Sequence, residues 1–357
     1  MSDELKRHRV AIDAIDERIV QLLNERASHA RSIGELKGGA PAYRPEREAE
    51  VLRHVSAVGN GPLAPERVAA IYAEIMSACR ALEQPMAVAY LGPEGTFSEM
   101  AMFKHFGHGV QGLPAVSIDE VFRRLEARAV HSAVVPVENS TEGAIGRTLD
   151  LLLTTPLKIC GEVVLRVRQN LLAKSGDPHL SSYARVYSHA QSLGQCQSWL
   201  TQNLPAAERV PVSSNAEAAR RAAVEPDACA IGPELAAERY GLAVVARSIE
   251  DDPRNMTRFL VLGWDEAGPT GRDRTSIVMS AANRPGAMHE LISPFAHHGV
   301  SMSRIESRPA RTGQWEYLFY VDVEGHLSEP RVAQALAEIT QKAPFLKVFG
   351  SYPAADF

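Results

Sequence analysis

Arg26 is the first residue whose position demands chemistry. It falls in a run of Ile12, Ile15, Ile19, Leu22, Arg26, His29, Ile33 and Leu36. The alternating spacings of three and four make this one apolar seam along a helix. A guanidinium in such a seam is costly unless an anion meets it. Lys37 follows after about 1100° of helical rotation, close to three full turns, so it shares the face of Arg26. Arg9 lies about 1700° back and points roughly 100° away, so it joins that face only from a second copy of the chain. Arg47 and Glu48 open the next helical segment, and Glu83 ends the third. Two readings stand: a glutamate inside the bundle pairs with Arg26, or the cations await a small dianion.

A second set of candidates sits in hydroxyl-rich turns. Residues 90–98 (YLGPEGTFS), 136–143 (PVENSTEG) and 188–192 (SHAQS) each run from a strand toward a helix start, and 255–259 (NMTRF) leads into a strand. Backbone N–H groups at helix starts bind anions. Four such turns at strand ends make a cleft for a small polyanion, although any one Ser, Thr or Asn taken alone serves as a helix cap. The first turn lacks Gly-Lys-Ser/Thr and is no Walker loop, and no GxSxG supports a serine hydrolase. Further on, residues 283–288 (NRPGAM) form a strand-to-helix turn. Residues 305–309 (IESRP) end the next strand. Alone, these are a surface turn and a charged strand end.

Three blocks must position these groups. Residues 1–84 read as all helix, with one helix from about 3 to 37 stopped by Gly38-Gly39. Pro45 and Pro65 each stand where a first helical residue belongs. A helix that long, roughly 50 Å at 1.5 Å per residue, cannot bury its seam on two shorter ones, so a dimer through it is expected. Residues 87–264 alternate short apolar runs with helical segments, the pattern of a parallel or mixed sheet that binds ligands at its strand ends. Residues 265–273 (DEAGPTGRD) read as a linker. Residues 275–357 read βαββαβ, a ferredoxin-like order.

Composition narrows the classes. The 357 residues carry 38 Lys+Arg against 43 Asp+Glu, a net charge of −5, and no basic run, which speaks against nucleic acid. No apolar run is long enough to span a membrane, and the charged start does not read as a signal peptide. The four scattered cysteines form no CxxC and fit a reducing cytoplasm.

With these residues in view, three resemblances emerge. R9-x16-R26-x10-K37 with R47-E48 and Glu83 resembles the all-helical chorismate mutases across most of 1–84. That resemblance implies Arg26 and a second copy's Arg9 on the substrate carboxylates, Lys37 on the ether oxygen, Glu48 on the ring hydroxyl, and Arg47 in support. Glu83 stands where a glutamine commonly donates, and a carboxylate donates only when protonated. The GPEGTFS, PVENSTEGAI, SHAQS and NMTRF segments resemble prephenate dehydratases over about 87–264. This implies two α/β lobes similar to a periplasmic binding protein, with the chain crossing near Val167 and Ala246. It also implies Thr257 at the leaving hydroxyl, with Thr96, Asn139, Ser140, Thr141, Ser188, Gln191 and Arg258 on substrate. Gly286, Ala287 and Met288, with Glu306, Ser307 and Arg308, resemble the phenylalanine-binding positions of ACT domains. The fold implied is multidomain: a dimeric helical bundle, a two-lobed α/β domain and an α+β ferredoxin-like domain. The implied activity converts chorismate through prephenate to phenylpyruvate, needs no cofactor or metal, and is inhibited by L-phenylalanine in a homodimer or higher oligomer. A protein that binds a small acid in the two-lobed block without turning it over is the rival, and Thr257 separates the two.

Overall fold

The computed structural model describes residues 3–38, 42–174, 180–281, 284–310 and 317–355. Asn283, placed above in a turn, and Gly39, placed at the stop of the first helix, lie outside these residues. The chain forms two units: residues up to Met86 with Phe106–Gln111, and Ala87–His105 with Gly112–Phe357.

The smaller unit is helical, with α1 (Asp3–Leu36), α2 (Pro45–Val58) and α3 (Pro65–Glu83). Proline opens α2 and α3, where its missing N–H costs nothing. Past the end of α1, Gly38 takes a left-handed conformation with φ +59°. Helix α3 packs on both α1 and α2. Most of the α1 seam is left uncovered: Ile12, Ile15, Ile19, Leu22, Ile33 and Leu36 are exposed. A helix that outruns its two neighbours must end this way.

In the larger unit, one lobe is built on strands β1 (Ala87–Leu91), β2 (Gln111–Ala115), β3 (Ser132–Asn139), β4 (Gly143–Ala144) and β5 (Lys158–Arg166). Helices α4 (Phe97–Phe106), α5 (Ile118–Glu126) and α6 (Gly146–Thr154) accompany them. The second lobe holds β6 (Asn170–Ala173), β7 (Arg185–His189), β8 (Glu208–Val212), β9 (Ala228–Gly232) and β10 (Ala243–Ala246) in the order β10-β6-β9-β7-β8. Its helices are α7 (Ala190–Gln195), α8 (Gln197–Asn203), α9 (Asn215–Ala222) and α10 (Glu234–Tyr240). Strand β11 (Met256–Gly263) then returns to the first lobe and completes the order β2-β1-β3-β11-β5, with β4 on β3. The two crossings between lobes hydrogen-bond to each other: Val167 N donates to Asn255 O and Ile249 N to Gln169 O, both at 2.8 Å.

The C-terminal part runs β12 (Asp273–Ala281), α11 (Ala287–His297), β13 (Met302–Pro309), β14 (Tyr317–Glu324), α12 (Pro330–Lys342) and β15 (Phe345–Pro353). The antiparallel order β13-β14-β12-β15 is that of a ferredoxin-like sheet. One sheet face buries Ile277, Val321 and Val323 under Leu291, Phe295, Leu336 and Ile339 of the two helices. The other shares a core with the first lobe, where Val278, Tyr320 and Tyr352 join Leu149, Leu260 and Leu262. The segment 265–273, read as a linker, joins the two parts of this common core and is held in place. Ala267 is buried, its carbonyl lies 3.0 Å from His326 Nε2, and Asp273 accepts the N–H groups of Thr270 and Gly271. Because the strands on either side of this segment share a core, it is pinned.

Gly350 on β15 marks how close that approach is. A Cβ there would lie 2.2 Å from the Ile159 carbonyl oxygen on β5, and neither strand can yield. Gly350→Ala is expected to cost about 1–3 kcal/mol, read as a lowered denaturation midpoint; an unchanged midpoint would show that the strands part freely.

Candidate active sites

A cavity of about 530 Å³ opens among α1, α2 and α3. Arg26 and Lys37 both line it, one face of α1 having brought them together as their spacing requires. Arg47, Glu48 and Glu83 line it too. Arg9 is not among the lining residues; it stands about 25 Å along α1 from Arg26. Lys37 Nζ lies 3.2 Å from Glu83 Oε2, so Glu83 meets a cation in the unliganded pocket. Glu48 pairs with Arg80, a residue the sequence reading passed over. Arg80 also donates from Nη2 to the Phe106 carbonyl at 2.5 Å and lies over the Tyr43 and Phe106 rings at 5.5 and 5.7 Å. Its signal was present: an arginine on the buried face of α3 beside Met76, Cys79 and Glu83. Arg26, Lys37, Arg44, Arg47 and Arg80 outnumber Glu46, Glu48 and Glu83 on the lining. That excess suits a dicarboxylate.

Burial pushes the Glu48 carboxyl above its ordinary value, outweighing the pull of Arg80 and Arg26, with Glu83 adding a smaller push the same way. A protonated carboxyl can donate a hydrogen bond; a carboxylate cannot.

A second cavity, of about 440 Å³, lies between the two lobes of the larger unit. Thr96, Asn139, Gln191 and Thr257 line it, gathered from four separate segments. Asn139 and Thr257 are register partners on β3 and β11. Asn139 Nδ2 donates to Thr257 Oγ1 at 2.9 Å and to Asn255 Oδ1 at 2.9 Å. On its other side, Asn139 Oδ1 accepts from Thr141 N at 3.0 Å and Thr141 Oγ1 at 2.6 Å. These contacts fix which way the amide faces. With one lone pair of Thr257 Oγ1 taken by an amide donor, its O–H remains available to a group in the cleft.

Ser140, Thr141 and Ser188 stand behind the lining. Ser140 Oγ accepts from Met256 N at 2.9 Å, while the fully buried Ser188 donates to Ile231 O at 2.9 Å. They hold the wall. Thr96 does both things expected of it, lining the cleft and accepting from Glu99 N at 3.4 Å as a cap.

Arg258 corrects the expectation placed on it. Successive residues of a strand face opposite ways, and Thr257 already faces the cleft. Arg258 is buried on the far side, with Nε 2.7 Å from Glu162 Oε2 and Nη1 2.5 Å from Asp322 Oδ2. Among the described residues, no arginine or lysine lines the cleft. Its polar walls carry Glu142 and His189 beside amides and hydroxyls, several of them at the starts of α4 and α9, where N–H groups favour anions. Gln169, Ser192, Gln195 and Asn215 belong to this wall and were missed. The Ser213-Ser214-Asn215 turn between β8 and α9 was the legible signal.

In the C-terminal part, Gly286 caps α11 with φ +80°, and Ala287 is buried behind it, with Met288 packed on the core. Glu306, Ser307 and Arg308 lie on β13, an edge strand, with Ser307 exposed. Arg308 is drawn to lobe one: Nη2 lies 3.3 Å from Asp150 Oδ1, and its guanidinium fills the space above Gly146. Among the described residues, no group of three or more His, Cys, Asp or Glu is arranged to hold a metal, and no helix is long and apolar enough to cross a membrane.

Comparison with known proteins supplies matches to all three parts. A chorismate mutase type II model matches residues 8–84, a prephenate dehydratase model 88–267 and an ACT domain model 275–341. The bifunctional chorismate mutase/prephenate dehydratase of Neisseria gonorrhoeae is 51% identical over 350 residues, covering 98% of this chain and 96% of that protein. The one from Pseudomonas aeruginosa is 50% identical over 360 residues, covering 99% and 98%. A crystal structure of prephenate dehydratase from Arthrobacter aurescens in complex with L-Phe superposes with a TM-score of 0.69 at 36% identity, covering 75% of this chain and 90% of that one.

The raised Glu48 predicts a pH effect. A folded pKa above the ordinary value means the proton is lost only as pH climbs through that higher value, and the donor is lost with it. Activity that uses this donor therefore falls on the alkaline side, and Glu48→Gln, which donates at every pH, should flatten that limb in a pH–rate profile of the helical site. An identical limb in both proteins would remove Glu48 from the titration.

Proposed function

The chain belongs to the bifunctional chorismate mutase/prephenate dehydratase family, and from that premise we propose how its two cavities divide the work. The enzyme rearranges chorismate to prephenate, then expels water and carbon dioxide from prephenate to give phenylpyruvate. We assign the first step to the helical cavity and the second to the cleft between lobes.

The rearrangement is pericyclic and needs a held conformation plus charge where the ether oxygen becomes negative. The observation that carries the assignment is the excess of cationic over acidic side chains on the cavity lining, which suits the two carboxylates of chorismate. Arg26 takes one carboxylate and Lys37 turns to the ether oxygen. Glu48, held by Arg80, meets the ring hydroxyl, while Arg47 borders the pocket. Arg9 reaches such a site from a second copy docked on the exposed seam of α1, so the working state is at least a dimer.

In the cleft, the ring carboxylate leaves as carbon dioxide and its bonding electrons enter the ring as the C–O bond to the hydroxyl breaks. The departing oxygen takes the Thr257 proton and leaves as water, and the threonine is reprotonated through a neighbour. A threonine hydroxyl is a weak acid, so Asn139 has to orient it and aromatisation has to drive the step. Backbone N–H groups, Thr96 and Gln191 hold the remaining carboxylate.

L-Phenylalanine, the amino acid related to the product and the ligand of the Arthrobacter complex, is assigned here to the C-terminal part. Gly286 lets backbone N–H groups approach a carboxylate, and the edge strand with Glu306 and Ser307 offers polar partners at a pairing of two copies. The four cysteines are buried and form no disulfide, which suits a reducing compartment, and we place the enzyme in the cytoplasm.

The deciding experiment pairs two variants. Arg26→Ala should cut mutase turnover by about a hundredfold or more and leave dehydration of added prephenate intact; Thr257→Ala should do the reverse. Joint loss of both activities in a folded chain would overturn the division of labour. For regulation, Gly286→Val places a branched residue at φ +80° and should shift the phenylalanine inhibition curve to higher concentration with uninhibited turnover retained. Coincident curves for the two proteins would move the regulatory site elsewhere.

A further inference from the structure

The face of the first-lobe sheet turned away from the cleft carries charges that the chemistry above leaves unused. Glu138 precedes Asn139 on β3, Arg258 follows Thr257 on β11, and Glu162 lies on β5. The C-terminal sheet sets Arg274, Arg304 and Asp322 against them. Three arginines thus meet three carboxylates, of which Glu162 and Asp322 are buried and Glu138 is half-buried at the rim. Most of the cluster is tightly closed. Arg274 Nη1 reaches both Glu162 oxygens at 2.6 and 2.5 Å, Arg258 Nη2 donates to Tyr352 at 2.9 Å, and Ser276 donates to Asp322 at 2.5 Å.

Arg304 is the exception. Its Nε lies 2.7 Å from Glu138 Oε2, yet its N–H does not point at that oxygen, and the buried Nη2 has no hydrogen-bond partner. The guanidinium is held by charge and not by direction. A cavity of about 10 Å³ adjoins it, walled on its polar side by Arg258, Ser276, Tyr320 and Asp322. Asp322 feels the Arg304 charge as well as that of Arg258.

We propose that Arg304 of the C-terminal sheet is a positioning residue for the dehydration step, anchoring Glu138 and thereby the adjacent Asn139 that aims Thr257. This rests on the reading of Asn139 and Thr257 as the dehydration centre. Side chains at consecutive strand positions share one backbone, so the carboxylate of Glu138 fixes the rotation of the segment that presents Asn139. The 2.9 Å contact from Asn139 to Thr257 tolerates little drift. A residue of one domain therefore completes the site of another.

The test compares Arg304→Gln, Arg304→Lys, Glu138→Gln and the Arg304→Gln/Glu138→Gln double variant in the full chain without phenylalanine. Mutase turnover and thermal melting report folding. Arg304→Gln should lower dehydratase kcat by about tenfold to a hundredfold, with KM for prephenate held within about threefold. Arg304→Lys should recover part of kcat, and the double variant should be no slower than Arg304→Gln alone. Wild-type kcat in a folded Arg304→Gln, or losses that multiply in the double variant, would overturn the proposal. Where Arg304→Gln fails to fold, Glu138→Gln decides, since it removes the charge that Arg304 holds and an unchanged kcat there also overturns the proposal. Thr257→Ala keeps the two ideas apart. Its activity would remove the dehydration centre itself, whereas an inactive Thr257→Ala beside a fully active Arg304→Gln removes Arg304 alone.

Discussion

The larger unit depends on the pleat of one strand. On β11, Thr257 faces the cleft, and Arg258 faces the shared core with the C-terminal sheet. The pleat cannot be rotated to suit one residue without reversing the other. Register does the rest: Thr257 is paired with Asn139 on β3 and Leu165 on β5, so the chemistry and the domain contact are set by the same ladder. Glu162 shows what this arrangement requires. Its side chain is fully buried, and a buried carboxylate without partners is strongly unfavourable. Arg258 and Arg274 approach it from opposite sheets, so neither sheet is complete alone.

The cleft and the helical cavity solve the same problem, holding a dicarboxylate, in different ways. In the helical cavity, cations on long side chains converge from three helices. Lys37 meets Glu83 and Arg80 meets Glu48 there. In the cleft, no arginine or lysine lines the wall among the described residues, and in the proposed reading neutral donors at helix starts do the work. Fixed N–H dipoles need little reorganisation when charge moves within the substrate, which suits a step in which a carboxylate departs as a neutral gas.

Much of this was legible in the sequence. The seam of α1 announced both its cations and its missing cover, because a 3.6-residue period fixes which residues share a face. The ends of α2 and α3 followed from proline chemistry. The βαββαβ order of the last block followed from alternating apolar runs. What escaped were features set by distant parts of the chain. Arg258 was read as a substrate ligand because it adjoins Thr257; only the partner across the pleat, Asp322, shows which way it turns. Arg80 looked like one more charge on a helix until Glu48 and the Phe106 carbonyl met it. The segment 265–273 has the composition of a flexible connector, but His326 and a buried Ala267 hold it.

If two chains pair through the bare α1 seam as proposed, concentration becomes a variable for one activity and not for the other. A cavity that draws Arg9 from a second chain exists only in the associated state, and its population follows mass action. The cleft is assembled from segments of a single chain and survives dilution. As the protein is diluted, the two reactions should therefore drift out of step: prephenate would still be consumed where it is no longer being made.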